Sequence, residues 1–181
     1  MRKGVFAALA AIVTGFSACD KVVDAVVPDF PITTSSISVE VPVISNTTQV
    51  LAIDTASLYL NIDSVVMEKS DGKIGYNKVN SIKITKIAFT ASNTDANNNL
   101  GNLESAKVMF HTDSNPTPVE IASTPIAATE TSFKEIVPSP QQELKGYLNG
   151  KRLTYTLHAK ARKATTKPIP LSMVVTFNVD L

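Results

Sequence analysis

Cysteine is nearly missing from this chain: Cys19 is the only one in 181 residues. A lone thiol excludes an intramolecular disulfide, a thiolate zinc cluster and a Cys-X-X-Cys redox pair. Tryptophan is absent, and His111 and His158 are the only imidazoles. Neither histidine is spaced to pair with a nucleophile and an orienting acid. The Gly-X-Ser-X-Gly, His-Glu-X-X-His and glycine-rich phosphate-loop patterns are also missing. The expectation is a protein that is not an enzyme and uses no cofactor and no metal. Charge of one sign is lacking too: 17 basic residues face 16 acidic ones, a net charge of +1, so no global field marks the chain for nucleic acid.

No apolar run is long enough to span a membrane, which takes about 20 residues. The run from Val5 to Phe16 is 12 residues long. It follows Arg2 and Lys3 and ends in Phe16-Ser17-Ala18-Cys19, which gives a charged n-region, an apolar h-region and small residues at a cleavage point. The placement of a cysteine directly after the small residues resembles a bacterial lipoprotein signal, with Phe16 where leucine is usual. This looser form is found in Bacteroidetes-type lipoproteins. The resemblance implies that residues 1–18 are removed and that Cys19 carries acyl chains, palmitate among them. Each buried CH₂ of such chains contributes about 0.8 kcal/mol of membrane affinity, and two chains anchor stably.

Removal of the signal leaves 163 residues, the size of one domain with a sizeable core. Residues 19–31 carry Val-Val pairs, Pro28 and Pro31 without a period, and read as a tether. Residues 32–181 read as a single domain.

Within it, period-two alternation predicts strands. Ile37, Val39 and Val41 alternate with polar residues. Leu51 to Ile62 is apolar on both parities, as in a strand covered on both faces. Ser81 to Ala91 switches parity near Lys86, which predicts a bulge. Ser105 to Thr112 turns Ala106, Val108 and Phe110 inward, and short strands are expected near Val119–Ala122 and Thr131–Val137. Leu153 to Ala161 and Ile169 to Val179 alternate most clearly and read as a long hairpin. Asp63 to Ser70 predicts a short helix capped by Asp63. Gln141 to Leu148 predicts a second, closed by a left-handed Gly150. The fold expected is all-β, an antiparallel immunoglobulin-like β-sandwich with two short helices, with a closed barrel as the alternative.

Several groups could carry chemistry. On the polar parity of the penultimate strand stand Arg152, His158, Lys160 and Arg162, a basic stripe that is either a solvated face or an anion-binding face. Asp54-Thr55-Ala56 and Asp63-Ser64-Val65 are similar to the tripeptide at which exported proteins of this bacterial group are O-glycosylated, which would place sugars on Thr55 and Ser64. A strand hydroxyl and a helix-capping segment are the simpler readings. Asp95, Asn97 and Asn99 supply oxygens as a calcium loop begins to, but Leu100 stands where that loop needs glycine. An Asn-rich turn accounts for the segment without metal.

The order of lipobox, polar strands, Asp-Ser-Val-Val helix, Ser-Ile-Lys-Ile-Thr-Lys-Ile strand and Asn-rich loop resembles small uncharacterised Bacteroidetes-type lipoproteins. A looser similarity is to the all-β late-embryogenesis-abundant sandwich domains. Neither resemblance carries a catalytic motif. Together these readings predict a non-enzymatic, lipid-anchored cell-envelope protein, a binding or structural accessory. The alternatives are a surface carbohydrate-binding lipoprotein and an envelope hydrolase. Its partners would be the membrane, through the anchor, and envelope proteins or glycans, with no nucleic acid. Acidic residues after Cys19 resemble a surface-export signal of that bacterial group, whereas Asp20 implies inner-membrane retention by the enteric rule. The outer membrane is the expected address, with periplasmic and surface leaflets both open.

Overall fold

Alternation in β9 (Ile169–Asp180) is unbroken: every second side chain from Ile169 to Val179 is buried and those between are half-exposed. Such a strand has one dry face and one wet face, and its neighbours must obey the same parity. In this computed structural model, which describes residues 27–181, β9 is flanked by β1 (Phe30–Thr33) and β2 (Ile37–Val41) on one side and by β4 (Ser81–Ala91) on the other. Strand β7 (Phe133–Ile136) adds to the far edge of β4. The second sheet runs in the order β3 (Val50–Tyr59), β8 (Arg152–Ala161), β5 (Leu103–Thr112), β6 (Val119–Pro125). All pairings are antiparallel. The dry faces of the two sheets share one core, with Phe110, Tyr155 and Phe177 among its largest buried side chains.

Two bulges keep each dry face single. Between Ile84 and Lys86 the register of β4 against β9 shifts, so Ile82 and Ile84 below the shift and Ile87 and Phe89 above it all point inward. Between Ala52 and Asp54 the register of β3 against β8 shifts in the same way. That shift accounts for the mixed parity of β3. The strand is an edge, not one covered on both faces, and it stops at Tyr59 rather than Ile62.

Further expectations give way to the observed pairing. The last two strands form no hairpin: β8 and β9 lie in opposite sheets, joined by a crossing at residues 162–168. An immunoglobulin arrangement keeps its last two strands as neighbours in one sheet, so this strand order is not the expected one. Of the two helices, one exists, α1 (Ile62–Lys69). It is capped by Asn61, whose side chain accepts from Ser64 N, while Asp63 sits in the first turn and accepts from Tyr76 N at 2.8 Å. Residues 141–148 do not form the second helix: Glu143 makes an isolated bridge to Lys83 of β4, and the turns that follow close on Leu144 O without continuing. Leu144 N donates to Ile82 O, and the Glu143 carboxylate accepts from Ile82 N and Lys145 N. Gly150 needs no left-handed backbone; a Cβ there would sit 1.9 Å from Asp113 Oδ1. Among the described residues the remaining helical pieces are single 3₁₀ turns at Tyr76–Lys78 and Leu100–Asn102. The sheet takes up the chain at Phe30, inside the span expected as tether.

The chain enters and leaves at one end of the molecule. Phe30 pairs with Val179, and Leu181 N donates to Asp29 Oδ1 at 3.0 Å. Helix α1, the 141–151 turn and the C-terminus share this end. The Asn-rich loop and the 162–168 crossing occupy the other.

Tyr155 is 1% exposed and packs 5.2 Å, ring centroid to ring centroid, from Phe110. Its hydroxyl has no hydrogen-bond partner among the described residues, and burial pushes its pKa up. An unpaired buried hydroxyl costs about 1–3 kcal/mol. Tyr155→Phe removes that cost and should raise the unfolding free energy by about 1 kcal/mol. Urea denaturation measures it, and a loss of stability would reveal a partner for the hydroxyl.

Candidate functional site

Arg152, His158 and Lys160 of the basic stripe fall on the wet face of β8, as strand parity requires, while Arg162 follows the strand at the start of the crossing, and the fold gives them different jobs. Side chains two apart on a strand are spaced by about 6.6 Å, so Arg152 and Arg162 stand about 33 Å apart. No single small anion spans that length. Lys160 Nζ lies 2.9 Å from Glu104 Oε2 in a half-exposed ion pair. His158 sits between Ala52 of β3 and Lys107 of β5, and Lys107 pairs with Glu120 at 2.9 Å. Arg152 is exposed, next to Lys151, at the end of the molecule that carries α1. Lys151, but not Arg152, lines a cleft of about 510 Å³ together with Asn61, Asp63 and Tyr76 among others.

Arg162 does something the sequence did not disclose. Its guanidinium donates to three main-chain carbonyls, Gly101 O at 2.7 Å, Leu103 O at 2.9 Å and Ile126 O at 2.6 Å. These belong to the Asn-rich loop, the start of β5 and the connection after β6. A planar fork with five donors suits this task as lysine would not. Arg162 thus fastens three chain crossings at the end opposite the termini.

The Asn-rich loop completes the same fastening. Asn98 Oδ1 accepts from Thr166 N at 2.7 Å and Lys167 N at 3.1 Å. Asn102 Nδ2 donates to Asn97 O and Ala164 O, and Asn102 O accepts from Arg162 N and Lys163 N. Asn99 and Asn102 cap the 3₁₀ turn reciprocally. Asn93 adopts φ +54°, the left-handed geometry that asparagine tolerates. The Asp95 carboxylate is taken up by Asn97 N at 2.8 Å, the Asn98 side chain, and Lys167 Nζ at 2.7 Å. Bonds from Lys167 first, then Asn97 and Asn98, hold the Asp95 pKa down at about 2. Oxygens committed in this way are those of a capped turn, and no cluster of three or more metal-ligating side chains occurs among the described residues.

Of the two candidate glycosylation hydroxyls, Thr55 lies exposed on edge strand β3, its Oγ1 3.1 Å from Thr156 Oγ1. Ser64 is exposed in the first turn of α1. The fold does not bring them together, since they lie on different elements. His111 and His158 are half-buried on the wet face of the second sheet. Cys19 lies outside the described residues.

No family model and no curated protein matches this chain. Among solved structures it is similar to the virus-like particle of the giant freshwater prawn Macrobrachium rosenbergii extra small virus. The two share 13% identity at a TM-score of 0.22, over 98% of this chain and 92% of that one. A likeness so distant carries no argument about function.

The division of labour within the stripe is measurable. Arg162→Met leaves three carbonyls without their charged donor and should cost about 3 kcal/mol of stability. Arg152→Ser should stay within about 0.5 kcal/mol, as exposed substitutions do. Thermal or urea unfolding of both variants checks this.

Asp95 makes a separate prediction about pH. A pKa depressed in the folded state stabilises above the unfolded value, 3.8, and that contribution is lost as pH falls through about 2. The stability difference between wild type and Asp95→Asn should therefore be constant above about pH 5 and shrink between pH 4 and 2. Acid titrations of unfolding in the two proteins test it.

Proposed function

We propose that this chain is a non-enzymatic, lipid-anchored protein of the bacterial cell envelope, held through Cys19 and serving as a binding or structural accessory in the outer membrane. The observation that carries the proposal is Arg2-Lys3, the apolar run and Phe16-Ser17-Ala18-Cys19, followed after only ten residues by the first strand of a closed two-sheet body. Ten residues, even fully extended, reach at most about 36 Å. The body would thus ride close to the bilayer, with the end carrying α1 and the C-terminus nearest to it.

For the finer fold class, we read the order β1/β2-β9-β4-β7 against β3-β8-β5-β6 as a jelly roll in place of the immunoglobulin-like sandwich. Each sheet takes strands from both halves of the chain, and among the described residues only β5 and β6 form a neighbouring hairpin. A body built this way presents two wet sheet faces and two loop ends, a scaffold for binding rather than a ready-made reaction site.

The anchor is tested by expressing the full precursor and Cys19→Ala and separating membranes from soluble fractions. Wild type should partition with the outer membrane and show an N-terminal mass increased by acyl chains. The variant should leave the membrane fraction. Retention of Cys19→Ala in membranes, with an unmodified N-terminus in wild type, would overturn the reading.

A further inference from the structure

On the wet face of the five-stranded sheet, four residues stand in one row across four strands: Ser38 and Thr90 both pair with Ser172, and Phe133 pairs with Thr90. Neighbouring strands lie about 4.8 Å apart, so the row is about 14 Å long. A second row runs beside it, in which Glu40 pairs with Pro170 and Ser92 N donates to Pro170 O at 3.0 Å. Along the second row and the Ser38, Ser172 and Thr90 positions of the first opens a groove of about 410 Å³, lined by Ser38, Glu40, Asp54, Thr90, Ser92 and Ser172 among others, with Phe133 just outside its lining as the strand partner of Thr90. That volume is within the range of small-ligand sites.

The lining chooses the chemistry of the ligand. Neither lysine nor arginine lines the groove, while Glu40 and Asp54 do, so an anion would be repelled. Asp54 is partly committed, since its Oδ2 accepts from Glu40 N at 2.9 Å and its Oδ1 from Thr55 N. The Glu40 carboxylate has no hydrogen-bond or ion-pair partner among the described residues. It can accept two hydroxyl donors at once, the pattern that adjacent hydroxyls on a sugar ring present. The serine and threonine hydroxyls both donate and accept, which suits a ligand that does the same. A wholly apolar ligand would strip water from them and return no bonds. At the end of the first row Phe133 is 53% exposed and stacks on no other ring among the described residues. It offers a flat apolar face beside a hydroxyl-lined trough.

We infer that this groove is a binding site for a neutral oligosaccharide, with Phe133 packing against one sugar ring and Glu40 accepting hydrogen bonds from adjacent ring hydroxyls. The inference rests on the binding-accessory reading above and does not depend on the anchor. Nothing in it uses the basic stripe, which faces away on the other sheet.

Isothermal titration of the mature full-length chain in detergent micelles tests it. The probes are cellohexaose, maltohexaose, laminarihexaose and N-acetylchitohexaose, with hexagalacturonic acid as the anionic counterpart. At least one neutral probe should bind and the anionic one should not. Phe133→Ala and Glu40→Gln should each weaken binding about tenfold or more, while Arg152→Ser on the other sheet leaves it unchanged. Circular dichroism should show the wild-type β spectrum for every variant, because the substituted side chains are exposed. Absence of binding by all four neutral probes, or wild-type binding by Phe133→Ala and Glu40→Gln, would overturn the inference. Mass spectrometry of the recovered probe separates it from the reading it deepens. An intact probe supports both, and a cleaved one would keep the groove but overturn the non-enzymatic role.

Discussion

The parity of β9 is the constraint on which the rest of the structure depends. Twelve residues alternate between dry and wet without interruption, and three strands pair to them directly. A slip of one residue would put Met173, Val175 and Phe177 in water and Ser172 and Thr176 in the core. Every irregularity in the neighbours is a way of keeping that register. The β4 bulge restores the inward face past Lys86, and the break between β1 and β2 lets Thr34 turn its hydroxyl to Val175 N at 3.0 Å. A buried threonine is affordable there because its bond is made.

Strands that neighbour each other in sequence but lie in opposite sheets raise a second demand. Each crossing between sheets strands main-chain carbonyls and amides that no ladder satisfies. At the end far from the termini this is met by side chains from Arg162, Asn98, Asn99 and Asn102. At the other end Glu143, Asp63 and Asn61 do the same for the turn around α1. The composition follows from this: residues that looked like ligands for something external are largely ligands for the chain's own backbone.

That inversion explains what could be read in the sequence and what could not. Period-two alternation located β2, β4, β5, β8 and β9 nearly residue by residue, and the bulge near Lys86 followed from a parity switch in one strand. Which sheet each strand joins is a long-range property, and two clean alternating segments in succession look like a hairpin whether or not they pair. The 141–148 segment has helical spacing in Leu144 and Leu148, both of which are buried, yet Leu144 N bonds Ile82 O of β4 and only single turns close behind it. The Ser38, Thr90, Ser172 and Phe133 row is assembled from four strands distant in sequence and has no local signature. Arg162 looked like one more basic residue on a polar parity, and only the loops converging on it reveal its bonds.

The antiparallel lie of β1 and β2 along β9 also has a mechanical consequence. A pull entering at Phe30 and resisted at the opposite end of the molecule runs along the strand axis. All nine paired positions of β1 and β2 on β9 then carry the load together in shear, instead of parting one after another as they would if peeled from an end. The groove lies toward the opposite end on the same sheet and takes residues from both sides of this seam, Ser38 and Glu40 from β2 and Ser172 from β9. Strands paired in that way resist a pull along their axis with all their hydrogen bonds at once.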